Sequence, residues 1–217
     1  TNIRHTDTKG NVTDDTIGKL NWSFPYGGGN EDKHAGGENV MFNVSRLLSC
    51  DGKYTIPISK YGGITMEGIG PLTKAVGGVE ITLPVGMQGV GSKGETVTLN
   101  AQTAQLYCVE RKGTGLDGSD ISRGQRQMVY LISLMKEIKE MSAGSIVSVY
   151  SAVNNYAFTN METDEMVAYA SYLKSIPGDS MIITQLQGTG VKDGQWYYDI
   201  DEDQMEQLVI DTFYTKK

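Results

Sequence analysis

Segments with the apolar period of a helix alternate along this chain with short runs patterned for β-strands, and composition does not shift between the halves. That interleaving constrains the fold more than any other feature: it requires helices layered on strands, an α/β arrangement, rather than a bundle or a sandwich. A helix is expected from Glu38, where Val40, Val44, Leu47 and Leu48 share a face before "CDGK" stops the run. Another is expected over Met66 to Val76, closed by Gly77 and Gly78 as a C-terminal cap. "VEITLP" then reads as a strand ended by Pro84, and "LNAQTAQLYCVERKG" as a short helix running into a strand or extended arm. A long helix is expected from Gln125 to Met141, with Met128, Leu131, Ile132, Met135 and Ile138 as its buried stripe. "TDEMVAYASYLKSI" starts with Thr163 as a cap, and "SMIITQLQ" and "QWYYDI" read as strands that pair. In "DEDQMEQLVIDTFY" Asp201 and Gln204 have capping-box spacing. Residues 1–37 are polar and glycine-rich with no helical period, so they read as loop or short strand.

With 217 residues and 39% hydrophobic content a full-sized core is available, and the expectation is a single domain over residues 1–217. The net charge of -7 would repel a polyphosphate backbone, so nucleic acid is excluded as a partner. No run of apolar residues reaches membrane-spanning length, so any membrane anchor is expected outside this chain. Cys50 and Cys108 fit no metal motif, and their pairing is open. The triplets at Asn11, Asn21 and Asn43 fit the glycosylation pattern but are short enough to arise by chance.

Several chemistries are absent. The sequence holds no GxSxG, no GxxxxGK[ST] and no HExxH, and its histidines are His5 and His34. "YGGGNEDKHAGG" would suit either a backbone nest for phosphate or a plain surface loop. What stands out is "SDISRGQRQM", which places Arg123 and Arg126 at a helix start, where the backbone dipole already carries partial positive charge. Two cations there imply something negative nearby. Arg111 and Lys112 end the preceding arm, Asp120 follows, and Arg123, Arg126 and Gln127 share neighbouring patches of a helix. Clustered guanidinium forks match the oxygens of a diphosphate; the competing reading is a solvated charged face with Asp120 pairing an arginine.

The order of these segments resembles the LytR-CpsA-Psr family of cell-envelope proteins. "AVGGVEITLP" is similar to the family's Gly-Gly-Val entry into a strand, "LNAQTAQLYCVERKG" to its Tyr-x-Arg-x-Arg arm, and "SDISRGQRQM" to its Asp-x-x-Arg-x-x-Arg-Gln helix start. Upstream, "KLNWSFPYGGG" resembles Lys-Ile-Asn-x-Ala-Tyr-x-x-Gly-Gly, and "TNMETDEM", "IPG" and "WYYDIDEDQMEQLVIDTFY" resemble the closing helix, strand and helix. The likeness runs over nearly the whole chain, and the Arg-Gln helix start is its most specific part.

The resemblance implies a three-layer α/β/α fold around a central mixed β-sheet, with an apolar channel for a prenyl tail. It implies a phosphotransferase on the outer face of the membrane or in the cell wall, mainly in Gram-positive bacteria. Such an enzyme moves a glycopolymer, such as wall teichoic acid or capsule, from a polyprenyl-pyrophosphate carrier onto peptidoglycan, with a divalent cation such as Mg2+. Carried over position by position, Arg111, Asp120 and Arg123 are the catalytic candidates. Arg111, Arg123, Arg126, Gln127 and Lys19 would bind pyrophosphate, and Asn21 would position the substrate. Asp120 would orient an arginine or take a proton from the acceptor hydroxyl.

Two departures bear on this. Val109 stands where the arm carries its first arginine, and Glu110 beside it supplies no cation. The family's metal-binding aspartate and Ser-Ile-Pro-Arg-Asp segment fall before Thr1, so a completing N-terminal segment or chain is expected and catalysis by this chain alone is open. The alternatives are a non-catalytic polyprenyl-pyrophosphate or glycan-binding module, or an envelope-related regulatory protein.

Overall fold

The computed structural model describes residues 2–6, 11–113, 115–177, 184 and 186–214. Along the chain run β1 (Asn2–Thr6), β2 (Val12–Ile17), α1 (Ser23–Tyr26), α2 (Lys33–Leu48), β3 (Gly62–Ile64), α3 (Ile69–Ala75), β4 (Val79–Thr82), β5 (Thr96–Leu99) and α4 (Ala101–Val109). Then follow α5 (Asp120–Glu140), α6 (Ala143–Val153), β6 (Ala157–Thr159), α7 (Thr163–Ser175), β7 (Gly188–Asp193), β8 (Gln195–Ile200) and α8 (Glu202–Phe213). The α/β class is met, and the elements divide into two compact units, Thr1–Gly62 with Thr184–Lys217, and Gly63–Ile183. One difference from the expected sheet is plain. The described strands pair off as β1 with β2, β3 with β6, β4 with β5 and β7 with β8, and no larger sheet forms among the described residues. The paired strands are three to six residues long, and while the β4–β5 pair buries one face, Val12 of β2, Val191 of β7 and Tyr198 of β8 stay exposed.

In the first unit, α2 starts five residues earlier than the apolar period indicates. Asp32 caps it, its carboxylate accepting the N–H groups of His34 and Ala35. Two glycines in the first turns hid that start, because glycine disfavours a helix interior by about 1 kcal/mol. They are required by close approach: a Cβ on Gly36 would lie 2.6 Å from the Gly29 Cα, and one on Gly37 2.5 Å from the Tyr61 ring. The "YGGG" stretch is thus a packing surface for α2, with Gly27, Gly28 and Gly29 buried. Deeper on the same helix, Asn39 and Asn43 are each 1% exposed. Asn39 Nδ2 donates to the carbonyls of Arg4 and Ser23 (2.9 and 2.8 Å), and Asn43 Oδ1 accepts the Arg4 N–H at 2.8 Å, which ties β1 to the helix. That use of Asn43 as a buried bridge also removes it as a glycan acceptor. At the other end, α8 is capped by Asp201, which accepts from the backbone and side chain of Gln204 as its spacing indicated. Met205 and Val209 of α8 pack with Leu47, Cys50 and Ile56, and Glu206 accepts from both Lys53 and Tyr54. The strand partner of "QWYYDI" is Gly188–Asp193, while most of "SMIITQLQ" lies outside the described residues.

The second unit is built on the β4–β5 ladder, paired antiparallel from Val79 with Leu99 to Thr82 with Thr96. Its inner face, Val79, Ile81 and Leu99, is at most 2% exposed and is covered by α3, α4 and α5. Helix α4 opens with a full capping box, Asn100 with Thr103. Helix α5 begins at Asp120, capped by Ser119, five residues before the expected boundary. Its buried face also differs. Arg126, Tyr130 and Leu134, four residues apart, point into the core, whereas Met128 and Leu131 of the expected stripe are 40% and 47% exposed. The helix carries two apolar stripes, and an arginine at the head of the buried one concealed which would be chosen. Helix α7 likewise starts at Thr163 with Glu162 as its cap, so Thr163 is the first helical residue and not the cap.

Candidate functional site

The junction of α4 and α5, in the second unit, holds most of the residues singled out in the sequence. Helix α4 ends at Val109, which packs half-buried against the core and so occupies as hydrocarbon the position where an arginine was looked for. The chain then turns outward at Glu110 in extended conformation. Among the described residues no strand continues from it; the loop instead turns at Gly113, Gly115 and Gly118, which have positive φ. The loop's acids are used to fold it. The Glu110 carboxylate accepts the N–H groups of Lys112 and Arg111, both at 3.0 Å, which holds its carboxyl below the usual range. Asp117 accepts the N–H and hydroxyl of Ser119, both at 2.9 Å, and its carboxyl is lowered for the same reason. Ser119 in turn accepts the Ser122 N–H at 3.1 Å and starts α5.

Arg126 is 2% exposed and points backward across this junction. Its Nε donates to the Tyr107 carbonyl at 3.1 Å, its Nη2 to the Glu110 carbonyl, and its Nη1 to the Ser122 hydroxyl at 3.4 Å. Gln127 Nε2 donates to the Cys108 carbonyl at 2.9 Å. The last carbonyls of a helix lack intrahelical donors and sit at the negative end of its dipole. Two side chains from the second turn of α5 therefore cap α4, and α4's own C-terminus is the negative partner that an arginine there required. Arg123 lies one turn earlier on α5 and is half-buried; Arg111 is exposed on the loop. The backbone of Asp120 is the first residue of α5, and its side chain lies outside the described residues.

Lys19 and Asn21 belong to the first unit. Lys19 precedes a single 3-10 turn, Leu20–Trp22, and its ammonium stands 5.4 Å from the Trp22 ring centroid and 5.3 Å from that of Tyr197. Asn21 is exposed. Arg4 of β1 was passed over in the sequence because its segment reads as loop. Its guanidinium lies 3.8 Å from the Phe42 ring, and its Nε donates to Asn39 Oδ1 at 3.0 Å. The available signal was Asn39 and Asn43 four apart on an otherwise apolar helical face.

Among the described residues no three His, Cys, Asp or Glu come together to hold a metal ion. The described side chains thus do not by themselves build the Mg2+ site that the resemblance implies. Both cysteines are free and buried.

Behind the junction, burial pushes Tyr107, Cys108 and Tyr130 each up to about 12, from ordinary values of 10.0, 9.0 and 10.0. Each group holds its proton longer folded than unfolded. The stability this gives is complete below about pH 9 and is lost as pH rises toward 12, at up to about 1.4 kcal/mol per pH unit for each group whose unfolded form has ionised. Circular dichroism of the chain titrated upward should therefore show cooperative unfolding begin above pH 9, with a shallower loss in Tyr130→Phe; stability flat to pH 12 would contradict this account of the core.

A model of the LytR_cpsA_psr family matches residues 5–212. A teichoic acid transferase of Enterococcus faecalis, polyisoprenyl-teichoic acid–peptidoglycan teichoic acid transferase TagU, is 27% identical over 194 residues, which is 88% of this chain and 58% of that protein's length. The chain thus spans little more than half of that relative. Among solved structures, Bacillus subtilis TagU superposes with a TM-score of 0.68 at 21% identity, covering 99% of this chain and 84% of that one. A structure described as a transcriptional regulator of Enterococcus faecalis gives 0.71 at 24% identity, over 91% and 70% of the two chains. These two likenesses concern the fold. The family match runs from the β1 strand to the last turn of α8 and takes in the α4–α5 junction whole, and by it the chain belongs to the LytR-CpsA-Psr family.

Proposed function

We propose that this chain acts on a polyprenyl-pyrophosphate-linked glycopolymer at the bacterial cell surface and takes part in its transfer to peptidoglycan, residues 1–217 serving as one functional domain. The observation that carries the reading is the α4–α5 junction. Arg123 opens α5 and Arg111 lies on the loop leading into it, while that loop's acids, Glu110 and Asp117, are engaged by backbone N–H groups and Ser119. Arg111 and Arg123 thus bring two guanidinium groups to a helix start whose dipole is also positive, which suits a diphosphate. The name of the Enterococcus faecalis transferase supports the choice of substrate.

In this reading Arg111 and Arg123 face the diphosphate, and Arg126 and Gln127 hold the surface that presents them. The acceptor hydroxyl oxygen bonds to the sugar-side phosphorus, the bond from that phosphorus to the bridging oxygen breaks, and polyprenyl monophosphate leaves with the electron pair. Fixed guanidinium groups stabilise the charge that builds on the leaving and equatorial oxygens. Asp120 orients an arginine or accepts the hydroxyl proton. A divalent cation such as Mg2+, which the family resemblance implies, would supply further positive charge to offset that of the diphosphate.

The test is retention of a sugar-free polyprenyl diphosphate by the whole chain, measured by native mass spectrometry. Arg123→Ala and Arg111→Ala should each weaken it by about tenfold, the loss of one charge-assisted hydrogen bond, with unchanged melting. Retention indifferent to both would remove the reading.

A further inference from the structure

The glycine-rich loop between β4 and β5 is held by its own backbone. Met87 and Gly91 exchange hydrogen bonds at 2.9 and 3.0 Å, the Gly94 N–H donates to the Leu83 carbonyl at 2.8 Å, and the Glu95 carboxylate accepts the Ser92 N–H at 2.7 Å. The Met87 side chain, 4% exposed, anchors this loop in the core. Against it lies the loop that leads into α5. A Cβ on Gly115, whose φ is positive, would stand 2.1 Å from the Gly86 carbonyl oxygen, so the two backbones meet there and only glycine fits. Between the two loops opens a cleft of about 500 Å3, whose walls include Gly86, Gln88, Gly91, Ser92, Lys93 and Gly115. That volume is in the range of small-molecule sites.

The chemistry of these walls is one-sided. The Gln88 amide, the Ser92 hydroxyl and the Lys93 ammonium have no hydrogen bond or ion pair among the described residues. The Lys93 N–H, with its nitrogen 3.3 Å from where a Cβ on Gly86 would stand, likewise donates to no described residue. No acid is among the described lining residues, and the neighbouring Glu95 is engaged by Ser92. Donors gathered without an acceptor call for an anion, and a cation has nothing to bind. One ammonium beside a hydroxyl and a backbone N–H matches the two oxygens of a carboxylate, whereas a diphosphate is better held by the guanidinium forks at the start of α5. Bare glycine backbone in the walls leaves room for a sugar ring. The cleft is also close to those forks: Gly115 is four residues from Arg111, at most about 14 Å along the chain. The loop folds back between them, since a Cβ on Gly118 would lie 3.9 Å from the Arg111 carbonyl oxygen.

We propose that this cleft is the acceptor subsite and takes a carboxylate-bearing acetamido sugar of peptidoglycan. Its carboxylate meets Lys93 and the Ser92 hydroxyl, its acetamido group meets the Gln88 amide, and its free hydroxyl reaches the diphosphate at Arg111. The kind of molecule rests on the transfer reading above; the preference for an anion rests on the cleft alone. Gln88 and Lys93 then set which acceptor the chain uses.

The experiment is an amide NMR titration of the whole isotope-labelled chain with N-acetylmuramic acid, which is N-acetylglucosamine bearing a lactyl carboxylate. N-acetylglucosamine, lactate and inorganic phosphate are the comparison probes. N-acetylmuramic acid should move the amides of Gly86, Gly91, Lys93 and Gly115, and should bind about tenfold more tightly than N-acetylglucosamine, the worth of one charge-assisted hydrogen bond. Lys93→Met should erase that difference, and Gln88→Ala should weaken both sugars by about threefold. Both side chains are exposed, so neither change should alter melting. The subsite is overturned if N-acetylmuramic acid does not bind, moves only amides elsewhere, binds no better than lactate or phosphate, or keeps its advantage in Lys93→Met. Retention of sugar-free polyprenyl diphosphate, measured alongside, reports on the transfer reading separately. Its failure with the acidic sugar still bound removes that reading and keeps the cleft as an acidic-sugar site; diphosphate retained with no acidic sugar bound removes the subsite alone.

Discussion

Arg126→Ala should be among the most damaging single substitutions in the chain, costing about 3 kcal/mol or more and lowering the melting temperature by roughly 6–12 °C. The reason is local. Two carbonyls at the end of α4, those of Tyr107 and Glu110, lose their donor, and the space of a large buried side chain is left empty beside Tyr107. Lysine should not rescue it, because a single ammonium cannot span the Tyr107 carbonyl, the Glu110 carbonyl and the Ser122 hydroxyl that the planar guanidinium reaches together. Urea denaturation of the two variants against wild type gives the answer; an Arg126→Ala protein within about 1 kcal/mol of wild type would mean that the arginine does not hold this junction. The same logic separates scaffold from ligand contact: lost binding in an Arg126 variant reads as a displaced α4 end, so the diphosphate test rests on Arg111 and Arg123.

Asn39→Ala should have the second largest effect, about 2–4 kcal/mol. One amide there donates to the Arg4 and Ser23 carbonyls and accepts the Arg4 Nε, with 1% exposure. Truncation leaves those buried groups without partners and unfastens β1 from α2. Asn39→Asp is the informative control, because a carboxylate keeps the acceptor for Arg4 and loses both donations. It should fail as alanine does. Limited proteolysis at the N-terminus, followed by mass, would show β1 released in both variants, and resistance equal to wild type would sink the assignment of Asn39 as the fastener.

Much of the fold is legible where one local rule decides it. The buried alternation of "VEIT", the glycine pair after α3 and the Asp201 cap of α8 each depend on residues a few positions apart, and each stands as read. The start of α2 was hidden because its glycines answer to Phe24, Gly29 and Tyr61, contacts distant in sequence. The buried face of α5 was misread because hydrophobicity ranks Met128 and Leu131 above an arginine, while α4's open carbonyls reverse that order. In the candidate site the arginines were found from their spacing and charge, yet the division between one that holds the fold and one that opens the helix required the position of α4. The aromatic rings around Lys19 were half visible: Trp22 shares the quoted segment, and Tyr197 comes from β8, far along the chain.

The placement of Cys108 has a practical consequence. Its thiol is 1% exposed, and its own carbonyl is one of those held from α5. A reagent can reach that sulfur only after the end of α4 comes away from its cap, so the rate of alkylation under native conditions measures the free energy of that one local opening. The residue is a built-in gauge of how firmly the two helices are joined, readable in the intact protein while any ligand is bound at the start of α5.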